Sequence, residues 1–201
     1  MSSLMLPQSR SRPRRVAVLA PVPGAEFVLG RVHEICGPAR HRAGLWLAGQ
    51  VKGVVLWLAP ERGGAPLNPD GFARLLEPSR LICAVARRPE DVLWAMEEGL
   101  RSGRVGAVVA DLPGPPGLTP VRRLHLAAEG AVESAAGAPL ALLLCPEEGG
   151  APGVESRWQM VPRHEPGRER WQFRCLRARG LGALPDLGLQ PGPEGRGMAL
   201  A

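Results

Sequence analysis

Residues 37–44, Gly37-Pro38-Ala39-Arg40-His41-Arg42-Ala43-Gly44, stand where a phosphate-binding loop stands. A short strand-like run, residues 31–36, precedes them. A compact helical run with Leu45, Trp46, Leu47 and Ala48 follows. A working loop reads G-x-x-x-x-G-K-[ST]. Its glycines let backbone N–H groups wrap the phosphates, its lysine reaches the outer phosphates, and its hydroxyl holds magnesium. Here the first glycine is Gly37, but Arg42 takes the second glycine position, Ala43 the lysine position and Gly44 the hydroxyl position. The only lysine, Lys52, lies past the helical run. Two readings stand. The loop is a relic that binds no nucleotide, or Arg40, His41 and Arg42 make a replacement anion site at a helix N-terminus.

Other chemistry-bearing residues are scattered. Cys36, Cys83, Cys145 and Cys175 form no C-x-x-C pair, so neither zinc nor a redox pair is expected. They read as small buried thiols in a reducing cytosol. His33, His41, His125 and His164 have no metal-ligand spacing. No metal and no cofactor is expected.

The elements that position these residues alternate. Arg31-Val-His-Glu-Ile-Cys36 reads as a strand and residues 43–50 as a helix. Val54-Val-Leu-Trp-Leu-Ala59 is a continuous apolar run, the pattern of a strand buried on both faces. A loop at 63–66, a short helix at 70–76 and a strand at 81–85 come next. Pro89, Glu90 and Asp91 open a helix whose apolar face is Val92, Leu93, Met96 and Leu100, with Glu97, Glu98 and Arg101 pointing elsewhere. Gly103 closes it. Val105-Gly-Ala-Val-Val-Ala110 is a buried strand that ends in Asp111. Thr119-Pro120 starts a helix to about residue 135, and residues 140–145 are a strand. This order argues an α/β fold with a mainly parallel, doubly wound sheet. Residues 157–161 and 170–176 alternate polar and apolar side chains and read as a C-terminal antiparallel hairpin. Residues 1–28 read as a disordered basic arm, residues 29–180 as the α/β domain, and residues 181–201 as a Gly/Pro-rich disordered tail.

With 201 residues, the chain has room for one ordinary domain. No apolar run is long enough for a membrane span, and the segment after Arg15 lacks a secretory h-region and cleavage site. The net charge is +6, with 24 arginines and no tyrosine, which fits the codon bias of a GC-rich genome. The charge is uneven. Residues 1–15 carry four arginines and no acid, and residues 156–179 carry seven arginines against Glu165 and Glu169. Such basic flanks attract phosphate backbones without reading sequence. Eight aromatic residues with no basic interleaving do not suggest base readout.

The order of these blocks resembles the RecA fold superfamily. Gly30-Arg-Val-His-Glu-Ile-Cys-Gly-Pro38 is similar to the strand leading into its phosphate loop, and Asp111 resembles its Walker B carboxylate. Glu61 lies near the place of its water-activating glutamate. A closer resemblance is to the RecA-like inducible-mutagenesis protein A family, ImuA. Arg88-Pro-Glu-Asp-Val-Leu-Trp-Ala-Met-Glu-Glu-Gly-Leu-Arg-Ser-Gly103 resembles its most recognisable helix, and Thr119-Pro-Val-Arg-Arg-Leu-His-Leu-Ala-Ala-Glu129 the next. Ser156-Arg-Trp-Gln-Met-Val-Pro162 and Arg170-Trp-Gln-Phe-Arg-Cys-Leu-Arg-Ala-Arg-Gly180 resemble its C-terminal hairpin. The resemblance covers about residues 29–180. It implies a bacterial, cytoplasmic accessory role in DNA-damage-induced (SOS) translesion synthesis. The partners it implies are an ImuB-like Y-family-like polymerase subunit, an error-prone replicative-type DNA polymerase, and RecA. The degenerate loop departs from the superfamily, so energy-coupled steps are not carried over and no ATPase activity is expected. A basic nucleic-acid-binding protein without a polymerase partner is the alternative, and a RecA-like ATPase a weaker one.

Five residues are candidate partner or DNA contacts. Trp94 lies off the main apolar face of its helix and is expected to pack in the core, with a partner contact as the alternative. Arg122 and Arg123 are expected to be solvated. Trp158 and Trp171 each follow an arginine on facing strands, so a cross-strand aromatic pair is expected, with a partner-binding edge as the alternative.

Overall fold

The structure, a computed structural model, describes residues 17–62, 67–180 and 182–201. Residues 1–16 of the expected arm and the loop at 63–66 lie outside the described residues.

The described end of the expected arm, residues 18–28, forms a hairpin. β1 (Val18–Val22) pairs antiparallel with β2 (Ala25–Val28), and Gly24 turns between them at φ +87°. Val22, Ala25 and Phe27 are buried. Their burial holds a segment whose composition suggested disorder.

The main sheet follows. Its first six strands are β3 (Val32–Cys36), β4 (Val54–Pro60), β5 (Leu81–Ala86), β6 (Val105–Asp111), β7 (Leu140–Cys145) and β8 (Ser156–Pro162). They pair in parallel in the order β8-β3-β7-β6-β4-β5. Apolar runs such as Leu140–Cys145, fully buried along its length, are what a strand covered on both faces requires. β9 (Trp171–Ala178) then pairs antiparallel with β8 as expected. The tail at 182–201 contributes two further strands. β10 (Leu187–Pro191) and β11 (Met198–Leu200) extend the sheet to nine strands. The Gly/Pro-rich composition hid an alternating apolar set, Leu187, Leu189 and Met198, which packs into the core.

Helices cover both faces. α1 (Arg40–Gln50) and the single turn α2 (Pro69–Phe72) lie on one side, and α3 (Pro89–Arg101) and α4 (Leu118–Gly130) pack together on the other. The first core joins Phe27, Ile35, Trp46, Trp158 and Phe173; the second joins Val92, Met96, Leu100, Leu124 and Leu143. α4 stops at Gly130, five residues short of the expected end, because glycine is a poor helix former. α2 is shorter than the expected helix, yet Leu75 and Leu76 beyond it are buried. α3 buries Glu97 beside the expected Val92, Met96 and Leu100. Glu97 takes an inward position because Arg101 and Arg123 both reach it, the latter at 2.7 Å. Cys36 and Cys145 are buried thiols, but Cys83 is exposed on β5, the edge strand of the sheet.

Two buried polar groups tie the layers. Glu34 on β3 has no water-exposed surface. Its Oε1 accepts the Gly150 N–H at 2.8 Å, its Oε2 accepts the Ala151 N–H at 3.1 Å, and the Arg157 Nε donates to Oε2 at 2.5 Å. Arg157 also donates to the Ala151 carbonyl at 3.0 Å. Burial, then the Glu34 charge, pushes the Cys36 thiol up to about 12. The Cys145 thiol is raised for the same reasons. Replacing Arg157 with Ala leaves an unpaired buried carboxylate. Chemical denaturation should show a loss of about 3–5 kcal/mol. Glu34→Gln combined with Arg157→Met should recover part of it.

His33 ties the hairpin to the sheet. Its ring lies 2.9 Å from the Val28 carbonyl through Nε2 and 2.7 Å from the Ser156 Oγ through Nδ1. The Trp158 Nε1–H donates to the same Oγ at 3.0 Å. Nε2 thus carries the proton, and Nδ1 accepts from Ser156. Burial lowers the His33 pKa to about 4, outweighing the Val28 bond. The unfolded value is 6.5, so this stabilisation is complete above pH 6.5 and falls as pH drops towards 4. The thermal midpoint should decline over that window, and the decline should flatten in a His33→Gln variant.

Candidate functional site

The loop of residues 37–44 and Asp111 meet at the C-terminal edge of the parallel strands, where open α/β sheets place ligands. β7 lies between β3 and β6, so the two come together from strands that are not neighbours. The resulting geometry is closed by the chain itself. The His41 Nε2–H donates to Asp111 Oδ2 at 2.8 Å, and Arg40 Nε lies 3.7 Å from Oδ1. Asp111 is almost fully buried. Both carboxylate oxygens therefore face a basic side chain from the first turn of α1.

The glycines kept in the loop have structural duties. Gly37 adopts φ +89°, and a Cβ there would lie 2.7 Å from the Met160 carbonyl of β8. That carbonyl accepts the Ala39 N–H at 3.1 Å, and the Gly37 carbonyl accepts the Arg40 N–H at 3.2 Å. Two of the N–H groups that would wrap a phosphate are thus engaged. Gly44, at the hydroxyl position, lets α1 approach the sheet: a Cβ would meet Leu144 at 3.1 Å and Trp57 at 3.4 Å. Ala43, at the lysine position, is on the buried face of α1.

Arg42 points away from Asp111. Its guanidinium carbon sits 4.1 Å from the centroid of the Trp171 ring, and Nη2 lies 3.6 Å from Glu169. Burial lowers the Arg42 pKa despite Glu169. Glu61 is exposed just past β4, with its N–H bonded to the Ala86 carbonyl at 2.8 Å. It contacts neither the loop nor Asp111 through any hydrogen bond or ion pair.

The five candidate contacts fall in two groups, Trp94, Arg122 and Arg123 on α3 and α4, and Trp158 and Trp171 on the other side of the sheet. Trp94 is 61% exposed, so it does not pack in the core as expected. It sits on the rim of a cavity of about 230 Å³ between α3 and α4, with Glu90, Pro120 and Arg123. Arg122 and Arg123 are both exposed, as expected, and Arg123 also reaches across to the buried Glu97. Trp158 and Trp171 do not pair. A bulge after Arg157 sets Trp158 opposite Cys175 and Trp171 opposite Pro162. Trp158 instead stacks on Phe173, with centroids 4.8 Å apart at 17°, and Trp171 meets His164 edge-on. Both tryptophans are buried in the core on the α1 side of the sheet.

Sequence reasoning missed Glu34 and Glu97 as buried carboxylates. The signal for Glu34 was an acid inside an apolar strand run with Arg157 in a later strand, but their pairing depends on β8 lying beside β3. Among the described residues no group of three His, Cys, Asp or Glu side chains is placed to hold a metal ion, and no helix is long and apolar enough to cross a membrane. The chain matches no protein-family model, and no curated protein is significantly similar to it in sequence.

Asp111→Ala should remove the anchor of the first turn of α1 and leave Arg40 and His41 unpaired in a half-buried site. Denaturant unfolding should show a loss of about 1–3 kcal/mol. Were Asp111 instead a metal ligand repelled by its surroundings, the substitution would stabilise the fold.

Proposed function

We propose that this chain is a non-catalytic, RecA-like accessory protein. It acts as an adaptor in DNA-damage-induced translesion synthesis, between an error-prone polymerase complex and RecA. The observation that carries the non-catalytic part is the clasp on Asp111. In nucleotide-hydrolysing folds that carboxylate and a loop hydroxyl hold magnesium. Here His41 and Arg40 hold it, and Ala43 and Gly44 replace the lysine and the hydroxyl. The adaptor part is supported by the sequence blocks that resemble the ImuA family, which fall on α3, α4, β8 and β9. Thermal unfolding with millimolar ATP and magnesium should leave the midpoint unchanged. A ligand bound only by the folded state raises it by mass action.

One observation favours the second reading, an anion site at the start of α1. Arg40 Nε, Arg42 Nε and Trp57 Nε1 are buried donors without a hydrogen-bond partner. A rise of the midpoint with ATP or inorganic phosphate, absent from an Arg40→Ala variant, would establish that reading and end the relic one.

The partners are tested by affinity purification from cells after DNA damage. Under the adaptor reading, the polymerase-like subunit or RecA co-purifies at physiological salt and survives nuclease treatment. Recovery of nucleic acid alone, lost with nuclease, would replace it with the alternative, in which the basic flanks bind phosphate backbones.

A further inference from the structure

The outer side of α4 faces an open groove of about 430 Å³. Leu118 and Leu126 lie on it, 39% and 68% exposed, with Arg122 between them on the same side. Arg179, just past β9, and Arg31 also line it. Arg31 is bonded to Glu129. Arg122 and Arg179 have no carboxylate partner among the described residues. His125 belongs to the wall. Its Nδ1 accepts the Val32 N–H, and its Nε2–H donates to the Gly153 carbonyl at 3.1 Å. Burial, then Arg31 and Arg179, lowers its pKa. The groove therefore offers two guanidinium groups without an ion-pair partner, Arg122 on α4 and Arg179 past β9, beside two exposed leucines of α4, against the acids Glu129, which Arg31 holds, and Glu155 nearby.

We propose that this groove docks an extended acidic peptide segment of a protein partner, with apolar side chains at both ends of its acidic stretch. The spacing defines the peptide. Leu118 and Leu126 are eight residues apart on a helix, about 12 Å. An extended chain covers that distance in about four residues. Carboxylates between the two apolar side chains then face Arg122 and Arg179, whose planar forks suit bidentate pairing. A nucleic acid would use the arginines but not the leucines; no Trp, Phe or Tyr lines the groove, and the one imidazole there, His125, is held in the wall through both ring nitrogens. The chain's own N-terminal segment has the wrong charge, since residues 1–15 carry four arginines and no acid. The proposal rests on the groove alone and does not depend on the adaptor reading.

Fluorescence anisotropy tests it with a labelled peptide of Asp and Glu that carries two leucines four residues apart. Two competitors are used: the same peptide with every acid replaced by lysine, and oligothymidylate. Saturable binding is expected that weakens with salt and that the lysine peptide does not compete away. Arg122→Glu and Arg179→Glu should each weaken it by at least about tenfold. Leu126→Ser should weaken it as well, and all three side chains are exposed, so each variant should keep the parent's thermal midpoint. Should an Arg→Glu variant lose its fold, the milder Arg122→Ala takes its place. No binding of the acidic peptide overturns the proposal. So does binding that Leu126→Ser leaves unchanged, which marks simple ion exchange. Oligothymidylate that displaces the peptide and responds to the same arginine substitutions assigns the groove to nucleic acid instead.

Discussion

Glu34 sits in the middle of the sheet with no contact with water, and its charge is tolerable only where its partners converge. Removing a carboxylate from water costs several kcal/mol, which pairing and hydrogen bonds must offset. Here they come from two separate places, Arg157 on β8 and the backbone N–H groups of Gly150 and Ala151, and the Ala151 carbonyl in turn steadies Arg157. The strand register that sets Glu34 opposite Arg157 also sets Ile35 opposite Trp158 and Cys36 opposite Gln159. Met160 follows, and its carbonyl receives the N–H of Ala39. The turn at Gly37, the start of α1 and the reach of Arg40 and His41 to Asp111 thus inherit their geometry from one buried ion pair.

The edge that a nucleotide would occupy is held by interactions internal to the chain. A magnesium ion needs free carboxylate oxygens, and a triphosphate needs free N–H groups and a lysine. Asp111 gives its oxygens to His41 and Arg40, and Ala39 gives its N–H to Met160. Arg42, the remaining cation of the loop, lies over Trp171. Under the relic reading, loss of the lysine would remove the reason to keep Asp111 open, and a buried carboxylate without its ion would need another cation. His41 and Arg40 would be that replacement. Gly37 and Gly44 are required by β8 and by the helix–sheet packing, whatever the loop binds.

Much of the parallel core could be read from residue order. The apolar runs of β4, β6 and β7 carry a local signal, as do Pro89, Glu90 and Asp91 at the start of α3. What escaped was written in contacts between distant residues. Glu34 and Glu97 are buried because arginines far along the chain reach them. The hairpin of β1 and β2 and the strands β10 and β11 lie in stretches whose composition argues disorder, yet a few alternating apolar residues suffice once a sheet edge is there to accept them. The pairing of Trp158 with Trp171 failed because both lie near the starts of their strands, and antiparallel strands set the start of one against the end of the other. Of the site, the missing lysine and hydroxyl were legible at once. The clasp on Asp111 was not, because it depends on β7 bringing β3 and β6 to their separation.

The two faces of the sheet differ in what they leave available. α1 is enclosed by the sheet, by α2 and by the hairpin, and of its residues Gln50 alone is exposed. α3 and α4 form an outer layer and expose Trp94, Leu118 and Leu126. A large apolar side chain on a helix exterior gains nothing from water, and several on adjacent helices are what a contact surface needs. A partner seated on that layer would sit across the sheet from α1 and its loop. Under the adaptor reading, the decay of the phosphate loop and the retention of an exposed α3–α4 layer are therefore one development. Once no energy passes from nucleotide to partner, the two sites need no coupling, and the loop is free to become part of the core.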